Sequence, residues 1–164
     1  MEVVKSILRI LQFLFVLLCT ALIGNVIASN VSGAESAINF SMFVCALAWL
    51  AVLYGVVSHF VSAAAIPVVA LALDSAATLF TFIDSIVLSA KLQAVNCSNF
   101  GHKASDYIAF GSRDDEKRCR EIQASIVFMW FLFAAFAASL FFILREFRRG
   151  GGSVRGPNMS QIGV

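Results

Sequence analysis

From Ser36 to Leu73 the chain carries 38 consecutive residues with no Lys, Arg, Asp or Glu. A helix that crosses a bilayer needs roughly 20 predominantly apolar residues, so this stretch is too long for one crossing and must turn back near its middle. Ser58, His59, Ser62 and Pro67 interrupt it there. Proline is tolerated at the first position of a helix, where its missing N–H would have no partner anyway. The stretch therefore predicts a helical hairpin in lipid.

Composition extends the argument to the whole chain. Of 164 residues, 60% are hydrophobic and only 13% charged, with 16 Phe and a mean hydropathy of +0.87, more apolar surface than a soluble domain of this size covers. The formal charge of +2 and the lack of a basic stripe interleaved with aromatics exclude nucleic acid as a partner. Hydropathy predicts four spans, at about 10–28, 38–57, 66–90 and 122–144. Backbone polar groups in lipid must be satisfied internally, so each span is helix. The expected fold class is an all-α membrane protein, a four-transmembrane-helix bundle over residues 1–144 followed by a basic, Gly-rich tail at 145–164.

Lys5 and Arg9 ahead of an apolar run ending in Val26-Ile27-Ala28 also resemble a secretory signal peptide. The apolar core from Ile10 to Ile27 exceeds the usual 7–15 residues of such a segment, so it is expected to stay as the first span.

Basic residues do not orient the bundle. Lys5, Arg9, Arg145, Arg148, Arg149 and Arg155 lie on the side of the termini, against Lys91, Lys103, Arg113, Lys117, Arg118 and Arg120 in the long loop. Acids in and around that loop neutralise it and leave the termini side more basic, a weak lean because acids count for little. Cysteine placement is a stronger guide. Cys97 and Cys119 sit near opposite ends of the 91–121 loop, whereas Cys19 and Cys45 lie inside spans, where a thiol is a small buried hydrophobe. A loop pair of this kind predicts an extracytoplasmic disulfide. A metal site fits poorly, since His102 is the only other soft ligand nearby and the spacing matches no zinc pattern. The sequons at Asn30 and Asn96 fall on the same face as candidate glycosylation sites. Both termini are then cytosolic, which sets Arg145, Arg148, Arg149 and Arg155 against an anionic leaflet, each contributing about 1 kcal/mol or simply fixing topology.

The third span holds the intramembrane acids, Asp74 and Asp84, each costing on the order of 2.5–3.5 kcal/mol at mid-bilayer on insertion scales. Asp74, Thr78, Thr81, Ser85 and Ser89 recur at helical spacing and are expected to form an inward-facing polar stripe. With no intramembrane Lys or Arg expected to pair with Asp74 or Asp84, the stripe reads as packing glue rather than an ion relay. Ala51 with Gly55, Ala134 with Ala138 and Ala135 with Ser139 have the spacing that lets helices approach closely. Phe128, Phe131, Phe133, Phe136, Phe141 and Phe142 make the fourth span bulky. No His cluster, nucleophile elbow or phosphate loop is present in the sequence, so the chain reads as a non-enzyme with no cofactor.

Several local patterns together carry a resemblance. Ile7-Leu8-Arg9-Ile10 and Phe13-Leu14-Phe15 open the first span, and Met42-Phe43, Cys45-Ala46 and Leu53-Tyr54-Gly55-Val56 mark the second. Pro67, Leu73-Asp74 and Phe80-Thr81-Phe82 follow, then Cys97, Asn99, Arg118-Cys119-Arg120 and Gln123-Ala124. The chain resembles fungal four-span MARVEL-domain proteins of the non-classical export protein 2 family, through all four spans. The resemblance implies a plasma-membrane organiser associated with eisosomes, linked to sphingolipid status and to signal-independent protein export, with a role for the tail after Arg145. It implies lipids, a second copy of the chain or other plasma-membrane proteins as partners. The competing expectation is a small transporter, or an accessory subunit of one, using Asp74 and Asp84.

Overall fold

A computed structural model describes residues 2–33, 35–60, 66–93, 95–99, 103 and 106–149. Four helices run through it: α1 (Glu2–Ala28), α2 (Ser36–Phe60), α3 (Pro67–Leu92) and α4 (Asp115–Arg149). All four are long and apolar enough to cross a membrane, and no strand forms among the described residues. The helices outrun the hydropathy boundaries, because a helix ends where its backbone loses partners and not where its side chains become polar. At 35 residues, α4 is roughly 52 Å long at 1.5 Å per residue, well beyond a core of about 30 Å.

The helix ends follow local chemistry. Ile66 is extended (φ −90°, ψ 108°) ahead of Pro67 at the first helical position of α3, the conformation that proline imposes on its predecessor. Tyr54 closes this hairpin, its hydroxyl lying 3.2 Å from both the N–H and the carbonyl oxygen of Ile66. At the start of α4 the Asp114 carboxylate accepts the Lys117 N–H at 3.0 Å, an N-cap, and Asp115 and Glu116 in the first turn complement the helix dipole.

The helices form a ring in which α1 touches α2 and α4, α3 touches α2 and α4, and α1 and α3 stand on a diagonal. One core cluster fills the middle, with Val16, Cys19, Cys45, Val52, Met129, Leu132 and Phe136 buried. A second joins Ile23, Val26, Ile38, Leu88 and Ile122 to Cys97, Ile108, Ala109 and Cys119, so the long loop folds onto the bundle as a lid of the same core. Because α1 supplies Val16, Cys19, Ile23 and Val26 to these clusters, the bundle is built around it as an integral span.

Each seam of the ring carries an aromatic contact: Phe13 with Trp49 between α1 and α2, Phe43 with Phe80 between α2 and α3, Phe82 with Trp130 and Phe133 between α3 and α4, and Phe15 with Phe128 and Phe131 between α1 and α4. Phe128, Phe131 and Phe133 of α4 thus serve the seams and Phe136 is fully buried in the core, while Phe141 faces outward at 61% exposure.

Candidate functional site

The polar side chains inside this ring gather in two places. Near the end where α1 begins and α4 finishes, Arg9 grips Asp74 with both terminal guanidinium nitrogens, Nη1 donating to Oδ1 at 3.0 Å and Nη2 to Oδ2 at 2.7 Å. This corrects the expectation that no cation pairs with the intramembrane acids. Hydropathy leaves Arg9 just outside the first span, yet α1 is helical from Glu2, and the arginine side chain is long enough to cross the diagonal. It crosses over Gly55 of α2, where a Cβ would sit 2.5 Å from the guanidinium carbon. The same guanidinium donates to Gln12 Oε1 at 2.9 Å, and Gln12 Nε2 donates to the Ala135 carbonyl at 3.1 Å and to Ser139 Oγ at 2.8 Å. One knot therefore ties all four helices.

Two of the small-residue pairs serve this knot rather than a flat helix contact. Gly55 is the notch for Arg9, and Ala135 and Ser139 receive Gln12. Ala134 faces outward and Ala138 is half-buried.

Asp84 has a different setting. It is fully buried nearer the loop end; Ser41 Oγ lies 2.7 Å from its Oδ1 and 3.0 Å from the Ala37 carbonyl, one hydrogen for two acceptors. Asp84 Oδ2 has no hydrogen-bond partner among the described residues. The stripe joining the two acids is buried at Thr81 and Ser85 and half-buried at Thr78. Its hydroxyls donate within their own helix: Thr78 to Asp74 O at 2.6 Å, Thr81 to Ala77 O and Ser85 to Thr81 O, both at 2.7 Å. Among the described contacts of this stripe, the two acids reach across to other helices, as does Ser89, the acceptor of Trp130 Nε1 at 3.4 Å.

The loop end is organised by Arg118, which is 1% exposed. Its Nε donates to the Ile108 carbonyl at 3.0 Å, and Nη1 to the Val26 carbonyl at 3.3 Å and to Asn30 Oδ1 at 2.8 Å. The loop is thus fastened to the end of α1 through the Val26 carbonyl and the Asn30 side chain. Asn30 and Ser112 form an isolated antiparallel bridge, and the Gly111 carbonyl accepts Val31 N–H at 2.7 Å. Gly111 has φ +98° and packs against the backbone of Gly33, a position that needs both glycines. The Cys97–Cys119 disulfide forms across 22 residues, with both sulfurs in the buried lid. Tyr107 donates to the Leu92 carbonyl, and burial pushes its phenol up from the ordinary value.

The two sequons differ. Asn30 Nδ2, the glycan-accepting atom, donates to Glu35 while Oδ1 serves Arg118 and Gly33. Asn96 is exposed, and among the described contacts its side chain makes one hydrogen bond, Oδ1 accepting the Ser98 N–H at 3.1 Å. Arg145 and Arg148 are exposed on the last turns of α4, and Arg149 ends that helix. Arg155 and the rest of the tail, like Ser62 and His102, lie outside the described residues. Among the described residues no group of three His, Cys, Asp or Glu could hold a metal ion.

Arg9, Gln12 and Arg118 were missed as site residues by the sequence reading. Arg9 and Gln12 share a helix face at i, i+3, the available clue; Arg118 reads from sequence as a loop charge and as part of the Arg-Cys-Arg pattern, neither of which marks it as buried.

Residues 2–142 match the MARVEL membrane-associating domain. The chain is similar to Non-classical export protein 2 of Saccharomyces cerevisiae, 33% identical over 97% of this chain and 93% of that protein. It is similar to Non-classical export protein 102 of Candida albicans, 34% identical over 88% of this chain and 84% of that one. Non-classical export protein 2 homolog 1 of Saccharomyces cerevisiae is 27% identical over 77% of this chain and 71% of its own length. No solved structure matches the chain.

Proposed function

The chain belongs to the MARVEL family of membrane-associating proteins, and from that premise we propose that it is a lateral organiser of the plasma membrane rather than a catalyst. In this reading it self-associates and binds lipid through its helix surfaces, with a link to sphingolipid in eisosome-type microdomains. Both termini lie in the cytosol, and the basic segment from Arg145 through Arg148, Arg149 and Arg155 meets the anionic inner leaflet. The names of the relatives tie them to non-classical export; any effect of this chain on export follows from its organisation of the membrane.

One observation carries the proposal. The buried polar groups are engaged mainly inside the bundle, while the outer surface presents large apolar and aromatic side chains such as Phe43, Leu50, Leu79, Phe131 and Phe141, each more than half exposed. A chain of this kind acts on what touches its sides. Single-molecule imaging in a sphingolipid-rich fungal membrane tests it: clustered, multi-copy spots are expected, and evenly spread monomers overturn it.

Asp84 Oδ2, with no hydrogen-bond partner among the described residues, favours a second reading, a small transporter or accessory subunit using Asp74 and Asp84. Replacing both by Asn then abolishes a measurable flux. Unchanged flux with altered clustering rejects transport.

A further inference from the structure

Between α1 and the first turns of α4, at the loop end, lies an open groove of about 400 Å³. Its rim carries three acids, Asp114, Glu116 and Glu121, and two cations, Lys117 and Arg120; its floor is Leu22 and Ala124. The floor continues down the bundle. Leu18 and Leu14 repeat Leu22 at four-residue steps on α1, both more than 40% exposed, and Val127 and Phe131 carry Ala124 onward along α4, 48% and 52% exposed. Charged rim above and apolar track below is the profile of a lipid lying along the seam, its head among the charges and its chains on the helices.

The rim chemistry selects the head. Three carboxylates against two cations repel a purely anionic head, whereas a head carrying both a phosphate and an ammonium meets both signs. Lys117 and Arg120 are 63% and 64% exposed and each leans on an acid of its own helix, Lys117 on Glu121 at 3.8 Å and Arg120 on Glu116. Exposed pairs of this kind are worth little, so both cations are available to a phosphodiester. Glu121 Oε1 accepts Asn25 Nδ2 across the seam, and its Oε2 is covered with no hydrogen-bond partner among the described residues. No aromatic side chain lines the groove among the described residues, so it lacks the cage that favours quaternary ammonium. Carboxylates reward an ammonium that has N–H bonds to donate.

We propose that this groove is a binding site for an ethanolamine phospholipid, with the phosphodiester between Lys117 and Arg120 and the primary ammonium donating to Glu121 and Glu116. Lys117 swings to the phosphate and leaves the Glu121 carboxylate, on which it leans at 3.8 Å, to the ammonium. The site gives the organiser reading a lipid and rests on its premise that the helix surfaces bind lipid; it is read on isolated protein, whereas organisation is read by clustering in cells, so either fails without the other.

The test is native mass spectrometry of the full-length protein in detergent, titrated with dioleoyl phosphatidylethanolamine, phosphatidylcholine and phosphatidylglycerol. The ethanolamine lipid should be retained about tenfold better than the other two, the worth of a charge-assisted hydrogen bond. Glu116→Gln with Glu121→Gln should erase that preference, glutamine keeping an acceptor for Asn25. Lys117→Gln with Arg120→Gln should weaken retention of all three lipids. Equal retention by the native protein, or preference for phosphatidylglycerol, overturns the site without any variant. So does a preference that survives Glu116→Gln, a half-exposed position whose replacement leaves the seam intact, together with Glu121→Gln.

Discussion

Replacing Gly55 with alanine tests the reading of the intramembrane knot most directly, because it sets two well-defined effects against each other. In a helix interior, Gly→Ala ordinarily stabilises by about 1 kcal/mol. Here the new Cβ would lie 2.5 Å from Arg9 Cζ and Nε and 2.9 Å from Nη2. Arg9 cannot retreat without releasing Asp74, to which it is bonded at 2.7 and 3.0 Å. Removing one partner of a buried pair costs about 3–5 kcal/mol. The arginine side chain is 18% exposed and Asp74 is not exposed at all; Arg9 recovers part of its solvation at the membrane edge, so we take the lower end, about 3 kcal/mol. The net is a loss of about 2 kcal/mol. At 2–4 °C per kcal/mol for a chain of this size, the melting temperature falls by roughly 4–8 °C. The assay is thermal unfolding of the full-length protein in detergent, followed by size-exclusion chromatography. Arg9→Met supplies the control, since with the guanidinium gone Gly55→Ala should regain its ordinary stabilising sign, a coupling that a double-mutant cycle isolates. A Gly55→Ala protein melting at or above the native one, or an equal loss in the Arg9→Met background, would refute the argument.

Four further outcomes are expected. Cys97→Ser should abolish the mobility difference between reducing and non-reducing gels and destabilise by about 3 kcal/mol, the entropy of a 22-residue closure; an unchanged melting curve would count against it. Arg118→Met leaves the Ile108 and Val26 carbonyls and Asn30 Oδ1 without this donor, a loss of about 2–4 kcal/mol, and amide exchange should quicken across residues 106–112; unaltered exchange would deny Arg118 its fastening role. Asn30 should carry no glycan, because Nδ2 is held by Glu35, so Asn30→Gln should leave gel mobility after endoglycosidase treatment and before it the same as in the native protein. Asp84→Leu should melt at or above the native protein, since it removes a carboxylate costing on the order of 2.5–3.5 kcal/mol while Ser41 keeps the Ala37 carbonyl; Asp74→Leu strands Arg9 and should melt lower, and the reverse order would sink the distinction.

The membrane fold was legible because hydropathy over 20 residues is a sum that no single side chain upsets. Four spans, the hairpin at Pro67 and the Cys97–Cys119 pairing all follow from length, spacing and the placement of two cysteines in one polar loop. The polar interior was not legible for a geometric reason. Asp74 and Asp84 share a helix and a stripe, so periodicity treats them alike; what separates them is Arg9, 65 residues away in the chain and across a ring diagonal. Pairing at that range depends on which helices are neighbours and on a missing side chain at Gly55, and neither is written in local spacing. The stripe hydroxyls mislead in the same way, since a Thr or Ser facing the interior has its own helix carbonyl within reach before any neighbour.

That local capture bears on function as well as packing. A relay along α3 needs groups that exchange partners, yet between Asp74 and Asp84 the hydroxyls of Thr78 and Thr81 are committed to carbonyls one turn back at 2.6 and 2.7 Å. Asp74 itself is held bidentately, and freeing it means unfastening α1 from α3 and, through Gln12, from α4. Opening a path at one end therefore loosens the bundle, while Arg118 and the disulfide keep the lid closed at the other. A frame tied this way at both ends is suited to holding its lateral surface constant, and a constant lateral surface is what a lipid or a second copy of the chain requires in order to recognise it.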